Sequence, residues 1–159
     1  MILISRDSGA DSVEYSLMQI LLAEDNPADV ALVREALNKQ KIDCDLIVID
    51  DGEQAIAFIN RIDADRKSPC PALLLLDLHL PRRGGEEILK NLRASERCGQ
   101  TPVVILSSSD SPKDRENAEK NAALHYFRKP STLSEFMELG VIVKQVIDRA
   151  KPSVSLLNP

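Results

Sequence analysis

Short apolar runs alternate with amphipathic stretches along most of the chain. The most apolar run, at 72–76, is too short for a typical helix and is followed by Pro81, so it predicts a strand buried on both faces. Similar runs predict further strands at 18–23, 46–49, 102–106 and 123–127. Between and after these runs, apolar residues recur at helical spacing, as Val30, Val33 and Leu37 do. The pattern therefore predicts five strands that alternate with five helices.

Helix-start signals support this alternation. Each start pairs a capping residue with a proline or with an acidic or amide residue in the first turn. The starts are Asn26-Pro27, Asp51 with Gln54, Ser111-Pro112 with Asp114, and Thr132 with Glu135. Strands that alternate with helices form parallel sheets with right-handed crossovers, so the predicted class is a doubly wound α/β fold.

Length and composition limit the possible classes. A chain of 159 residues suits one domain, predicted at 18–150, with a flexible N-terminal extension at 1–17 and a C-terminal tail at 151–159. The net charge of -5 and the scarcity of aromatic residues disfavour nucleic acid as a partner. No apolar run reaches the roughly 20 residues of a membrane span, and no signal peptide is evident, so a cytoplasmic protein is expected. Cys44, Cys70 and Cys98 are widely spaced, and we predict reduced thiols without a special role.

Polar residues follow four of the predicted strands. Glu24-Asp25, Asp77, Ser107 and Lys129 each lie at the carboxyl end of a strand, and these ends meet at one edge of a parallel sheet. Carboxylates that converge there repel one another unless a cation lies among them, and hard oxygen ligands suit Mg²⁺. A lysine and a serine beside that metal would supply donors to an oxyanion such as a phosphoryl group.

At these residues the chain resembles the receiver domain of two-component response regulators. The resemblance implies a five-stranded sheet of order 2-1-3-4-5, with Asp77 as phosphoacceptor. It implies that Glu24, Asp25, Asp77 and the backbone carbonyl of His79 hold Mg²⁺. Ser107 and Tyr126 match the switch residues of the family, and Lys129 matches its phosphoryl-binding lysine. Lys129 and Pro130 match its lysine–proline pair, which predicts a cis peptide bond.

A narrower resemblance is to the single-domain regulators partnered with bacterial phytochromes. It depends on segments 23–30 and 76–81 and on the long loop before the third strand. It implies a sensor histidine kinase as partner, with a bacteriophytochrome as the candidate, and an output that passes by contact with another protein. The chain would then be no enzyme beyond its own phosphorylation and dephosphorylation.

Two alternatives remain open. Phosphatases of the haloacid-dehalogenase class also use an aspartate, Mg²⁺, a hydroxyl and a lysine, but they need a second Asp two positions after the first, where this chain has His79. A degenerate receiver would act only as a scaffold, although the acceptor and metal residues are all present here.

The final helix predicts a homodimer. Its inward stripe consists of Phe136, Leu139, Gly140, Val143, Val146, Ile147 and Ala150. Met137 and Val141 are placed about 100° or more from the centre of that stripe, and Ile142 flanks its other side. These three residues form the predicted dimer face, which the tail residues Val154, Leu156 and Leu157 would extend.

Overall fold

The computed structural model describes residues 17–151. Its strands are β1 (Gln19–Ala23), β2 (Asp45–Ile49), β3 (Leu73–Asp77), β4 (Val103–Ser107) and β5 (His125–Arg128). Its helices are α1 (Pro27–Lys39), α2 (Gly52–Ala64), α3 (Gly85–Ala94), α4 (Pro112–Lys120), α5 (Leu133–Phe136) and α6 (Glu138–Ala150). The predicted extension and tail lie outside the described residues, except for Leu17 and Lys151.

All strand pairs are parallel, and the order is β2-β1-β3-β4-β5. The predicted fold class, a flavodoxin-like receiver fold, is therefore confirmed. Strand β3 is central and every one of its residues is buried. The register places Asp77 beside Leu106 and Ser107 beside Arg128, so the polar ends of neighbouring strands meet at one edge of the sheet.

Each face of the sheet supports its own apolar layer. Leu73 and Leu75 point into a layer with α1, α5 and α6, whereas Leu74 and Leu76 point into a layer with α2 and α3. This alternation is the two-residue period of a strand, applied to a strand that is apolar on both sides. A fully buried leucine side chain stabilises the fold by about 1.5–3 kcal/mol, so the leucines of β3 contribute strongly to the stability of the core.

The last predicted helix is divided at Met137, which separates α5 from α6. Met137 was predicted to face solvent, but only 7% of it is exposed and it packs in the layer with α1. The prediction was wrong because it counted one inward stripe on the last helix, whereas Met137, which keeps helical backbone angles, also packs against the layer that contains α1. Ile142 is half-buried against the same layer, and Val141 is 37% exposed.

Ala150 was predicted to face inward but is exposed at the end of α6. The other members of the predicted inward stripe are buried. Gly140 explains part of this close packing, because an added Cβ there would clash with the backbone carbonyl of Ala36 in α1. The tail residues of the predicted dimer contact lie outside the described residues.

Cys70 and Cys98 form a disulfide, with 5.5 Å between their Cα atoms, so the prediction of three reduced thiols was wrong. Cys44 is free. The pair is separated by 28 residues and joins the loop before β3 to the loop before β4. Sequence spacing could not show this pairing, since the two loops become neighbours only because β3 and β4 are adjacent in the sheet.

Helix starts follow the predicted signals in three of four cases. Asn26 accepts a hydrogen bond from the backbone N of Ala28, and Asp51 and Thr132 cap α2 and α5 in the same way. Ser111 makes no such side-chain bond at the start of α4. Among residues 17–151, no helix is long and apolar enough to cross a membrane.

Candidate functional site

The predicted acceptor, Asp77, is the last residue of β3 and is 6% exposed. Its Oδ1 accepts a hydrogen bond of 2.9 Å from the backbone N of His79, which orients the carboxylate at the mouth of the site. Gly85 lies against this turn, and an added Cβ there would come within 2.8 Å of the Asp77 carbonyl oxygen. The loop after β3 therefore needs glycine at this point for the backbone to pass the acceptor.

Lys129 lies just after β5 and reaches the acceptor across the sheet edge. Its Nζ donates to Asp77 Oδ2 at 3.0 Å, to Glu24 Oε2 at 2.7 Å and to Asp29 Oδ2 at 2.8 Å. An ammonium has three donors, so these contacts use all of them. Burial alone would lower the pKa of Lys129, but its bonds to Asp29 and Glu24 and the charge of Asp77 outweigh burial and raise that pKa above its ordinary value.

The Lys129–Pro130 bond was predicted to be cis, and this prediction was wrong. No peptide bond between residues 17 and 151 is cis. The lysine reaches the acceptor with the trans geometry, which X–Pro bonds prefer by about 0.5–1 kcal/mol.

Glu24 is 1% exposed, and both of its carboxylate oxygens accept hydrogen bonds. Its Oε1 accepts from the backbone N of Asn26 at 3.0 Å, while its Oε2 accepts from Lys129. Burial raises the pKa of Glu24, and the hydrogen bonds from Lys129 and Asn26 lower it by a smaller amount. A further positive charge nearby would stabilise the ionised form of this buried carboxyl group.

The carboxylates of Glu24, Asp25 and Asp77 each offer an oxygen, and these oxygens lie within 4.8 Å of one another. Asp25 is the exposed member of the three, so the cluster opens to solvent on its side. Hard oxygen donors, with one side left open for water, match the preferences of Mg²⁺ and Mn²⁺. The residues present therefore fit a divalent cation at the predicted place.

Ser107 ends β4 and is fully buried. Its Oγ accepts from the backbone N of Ser109 at 3.1 Å, and its backbone carbonyl accepts from the backbone N of Lys129 at 2.8 Å. Tyr126 in β5 donates its hydroxyl to the carbonyl oxygen of Ser109 at 2.9 Å. The two predicted switch residues thus hold the same loop residue from opposite sides.

The side chain of His79 lies beside the first turn of α4. It is 61% exposed, and its Nε2 lies 4.0 Å from Asp114 Oδ2 in the first turn of α4. Asp114 also accepts from Ser109 Oγ at 2.7 Å. The imidazole therefore borders the loop between β4 and α4.

Sequence reasoning missed two residues of this site. Asp29 bonds to Lys129 although 100 positions separate them, and Ser109 connects both predicted switch residues to α4. An acid in the first turn of a helix is common because it suits the helix dipole, so Asp29 carried no distinct signal. Ser109 was one of three consecutive serines.

Comparison with known proteins gives a consistent result. Residues 20–139 match the family model described as the response regulator receiver domain. The chain is 41% identical over 95 residues to the response regulator Rcp1 of Synechocystis, which covers 60% of this chain and 65% of Rcp1. It is 33% identical over 126 residues to the probable methanogenesis regulatory protein FilR2 of Methanothrix harundinacea, covering 79% of this chain and 81% of FilR2. Against three of the transcriptional regulators that it matches, it spans only 43–48% of their length.

Solved structures show the same likeness. The phosphorylated cyanobacterial phytochrome response regulator RcpA superposes with a TM-score of 0.76 at 28% identity, covering 86% of this chain and 98% of RcpA. The Mn²⁺-bound form of Rcp1 superposes with a TM-score of 0.71 at 33% identity, covering 80% of this chain and 92% of Rcp1. The chain therefore belongs to the response regulator receiver domain family and is related to phytochrome response regulators; the general function of receivers is to take a phosphoryl group from a histidine kinase.

Proposed function

We propose that this chain is a response regulator that accepts a phosphoryl group on Asp77, in a magnesium-dependent reaction, and signals by contact with other proteins. The observation that carries the proposal is the bond of 3.0 Å between Lys129 Nζ and Asp77 Oδ2, beside the carboxylates of Glu24 and Asp25. Phosphoryl transfer needs a nucleophile, here the Asp77 carboxylate, a positive charge such as the Lys129 ammonium, and oxygen ligands for a metal ion, here those of Glu24 and Asp25.

In the proposed reaction, a carboxylate oxygen of Asp77 attacks the phosphorus of a kinase phosphohistidine. A P–O bond forms, the P–N bond breaks, and the imidazole leaves with the electron pair and takes a proton. Lys129 stabilises charge on a phosphoryl oxygen as a point charge. A magnesium ion held by Asp25, Asp77 and the carbonyl of His79, with Glu24 acting through a water, would offset charge on the transferring oxygens.

Ser107 and Tyr126 would couple phosphorylation of Asp77 to a change in the loop that leads to α4. The Ser107 hydroxyl, whose oxygen accepts from the backbone N of Ser109, would donate its proton to a phosphoryl oxygen on Asp77 and would move toward it. Because Tyr126 holds the carbonyl of the same Ser109, a shift of Ser107 would alter the loop that leads to α4. The proposed signal is thus a local electrostatic change that biases a two-state surface.

The test is labelling with acetyl phosphate, with and without Mg²⁺, followed by intact mass measurement. We expect one hydroxylamine-sensitive phosphoryl group, its absence without Mg²⁺, and its loss in Asp77→Asn. The matched control is Asp148→Asn, which removes an exposed carboxylate from α6. Labelling that persists in Asp77→Asn would refute the assignment, and sustained release of phosphate would favour the phosphatase alternative.

The metal assignment has its own test. Asp25→Asn is expected to weaken Mg²⁺ binding by calorimetry and to slow labelling while the fold stays intact. Relief of repulsion among the carboxylates would also stabilise the metal-free variant. An unchanged Mg²⁺ affinity would rule out Asp25 as a ligand.

The proposed kinase partner is a phytochrome-type histidine kinase, acting in the cytoplasm. Support comes from the relatives RcpA and Rcp1, of which RcpA is described as a phytochrome regulator. Phosphotransfer from purified kinases to this chain, compared by initial rate, tests the partner. A kinase of another class with the fastest rate would overturn it.

A homodimer through the last helical segments also remains a proposal. Met137 no longer belongs to the face, but Val141 is 37% exposed and Leu133 is 53% exposed. A twofold contact would cover these side chains with their copies in the second chain. Light scattering of the wild type and of Val141→Glu, with and without phosphorylation, is the measurement, and a monomeric wild type in both states would exclude the dimer.

A further inference from the structure

The Lys129 ammonium has more carboxylate partners than the proposed chemistry uses. Asp77 is the proposed acceptor and Glu24 belongs to the metal cluster, whereas Asp29 has no role in either. Asp29 nevertheless accepts a hydrogen bond of 2.8 Å from Lys129 Nζ, shorter than the one of 3.0 Å that Asp77 accepts. The first turn of α1 therefore supplies an additional charged group to the site.

All three ammonium donors are occupied before phosphorylation. A phosphoryl oxygen that takes a hydrogen bond from Lys129 must displace one of the present acceptors. Asp77 carries the phosphoryl group itself, and the Glu24 side chain is fully buried and also fixed by Asn26. The Asp29 side chain is 21% exposed, so water can solvate it after release at the smallest cost.

We propose that Asp29 is a positioning residue that holds the Lys129 ammonium in the site before phosphorylation and is displaced by the incoming phosphoryl oxygen. This inference rests on the proposed function. Asp29 restrains the lysine and adds negative charge near an incoming dianion, and both effects slow transfer to Asp77. The site is thereby kept in its resting state until a phosphoryl donor is present.

The principal variant is Asp29→Asn, which keeps the size of the side chain and removes its charge. Its matched control is Glu35→Gln, which removes one charge from an exposed position on the same helix. At saturating Mg²⁺, we expect Asp29→Asn to raise the initial rate of acetyl phosphate labelling about two- to fivefold, the range of one partly exposed ion pair. The Glu35→Gln rate is expected to match the wild type.

A second readout needs neither metal nor donor. Nitrogen-15 NMR of the metal-free protein can follow proton exchange at the Lys129 ammonium, which a tight set of acceptors slows. We expect Asp29→Asn to accelerate this exchange about two- to fivefold, with no change in Glu35→Gln. Asp29→Glu keeps the charge and is expected to stay closer to the wild type than Asn in both measurements.

The outcomes separate the two proposals. If the wild type is not labelled at Asp77, the proposed function fails, and the NMR measurement still tests whether Asp29 holds the lysine. If the wild type is labelled but Asp29→Asn is no faster than Glu35→Gln, or is slower, Asp29 does not restrain the transfer. Unchanged exchange at Lys129 in Asp29→Asn would overturn the positioning role directly.

Discussion

The two edges of the sheet bury charge in different ways. At the carboxyl edge, the carboxylates of Glu24, Asp29 and Asp77 share the Lys129 ammonium, and Asp25 adds a fourth carboxylate beside them. At the amino edge, Arg93 and Arg97 donate to backbone carbonyls instead. The first edge brings together more carboxylates than ammonium groups, whereas at the second Arg93 and Arg97 each donate to four neutral carbonyls.

The arginines of the amino edge bind loop ends. Arg93 donates to the carbonyls of Asn121, Gly99, Thr101 and Ala122. Burial lowers the pKa of Arg93. Arg97 donates to the carbonyls of Ile62, Asp65, Arg66 and Ser68. Together with the Cys70–Cys98 disulfide, these bonds close the loops that precede the strands.

The difference shows how one small sheet can be stable and reactive at the same time. Neutral carbonyls accept the hydrogen bonds of an arginine without adding negative charges that repel one another, so these contacts stabilise the fold. Carboxylates crowded around one lysine cost stability and leave room for a cation and an oxyanion. A structure with this division can change at one edge while the other edge holds the fold.

The largest expected effect comes from removing the ammonium of the carboxyl edge. Lys129→Met leaves the buried charges of Glu24 and Asp77 without a partner, which is expected to cost about 3–5 kcal/mol of unfolding free energy in metal-free solution. Denaturant unfolding measures this loss. Lys90→Met, which breaks an exposed pair with Glu86, is the control and is expected to cost less than about 1 kcal/mol.

Magnesium sharpens the same comparison. The stabilisation by added Mg²⁺ is expected to be larger in Lys129→Met than in the wild type, because the metal then has no ammonium to compete with. A Lys129→Met protein as stable as the control, with or without Mg²⁺, would mean that the carboxyl edge bears no excess charge.

The disulfide tests the opposite edge. Replacing Cys70 and Cys98 with serine removes a crosslink between residues separated by 28 positions. The loop-entropy model predicts that this lowers the free energy of unfolding by about 3–4 kcal/mol. The variant is expected to unfold at lower denaturant concentration, and reductant is expected to affect the wild type alone. Cys44→Ser is the control, and finding three free thiols in the native wild type would contradict the pairing.

Arg97→Ala tests whether carbonyl binding stabilises the amino edge. Hydrogen bonds to charged groups are worth about 1.5–3 kcal/mol, and several carbonyls lose their donor here, so we expect a loss of about 2 kcal/mol. Arg149→Ala, on the exposed end of α6, is the control. Equal stability of the two variants would show that water replaces the arginine without cost.

The smallest expected effect is the dependence on pH, which has opposite signs at the two edges. Burial raises the pKa of Glu24 above its ordinary 4.5, so its contribution to stability is full below pH 4.5 and is lost as pH rises through the folded value. The metal-free protein is therefore expected to gain stability from this group on acidification from pH 7, and Glu24→Gln is expected to lose that gain.

Asp63 at the amino edge shows the reverse. Hydrogen bonds from the Ser95 hydroxyl and the Arg97 backbone lower the pKa of Asp63 below its ordinary 3.8. Its contribution is present above pH 3.8 and is lost as pH falls through the folded value. Unfolding curves of Asp63→Asn are thus expected to differ from the wild type in pH dependence only near and below pH 4, and a difference between pH 5 and 7 would contradict this assignment.

Sequence alone determined the architecture and predicted most of the residues that lie together at the carboxyl edge. The apolar runs of β1, β3 and β4 are long enough and apolar enough to be buried on both faces, so a parallel sheet follows from them. Asp77, Ser107 and Lys129 end or follow predicted strands, and strand ends in a parallel sheet meet at one edge. These features could be predicted because they depend on local periodicity and on one rule of topology.

Only the tertiary structure decided which side chains make contact. Asp29 reaches Lys129 across 100 positions, and Cys70 reaches Cys98 because β3 and β4 are neighbours. Met137 is buried because it packs in the layer that contains α1, and helical spacing does not show which neighbouring element covers a residue. Periodicity reports which face of an element is apolar, but the distance between two elements depends on how the whole core packs, and the charge balance of the site depends on that distance.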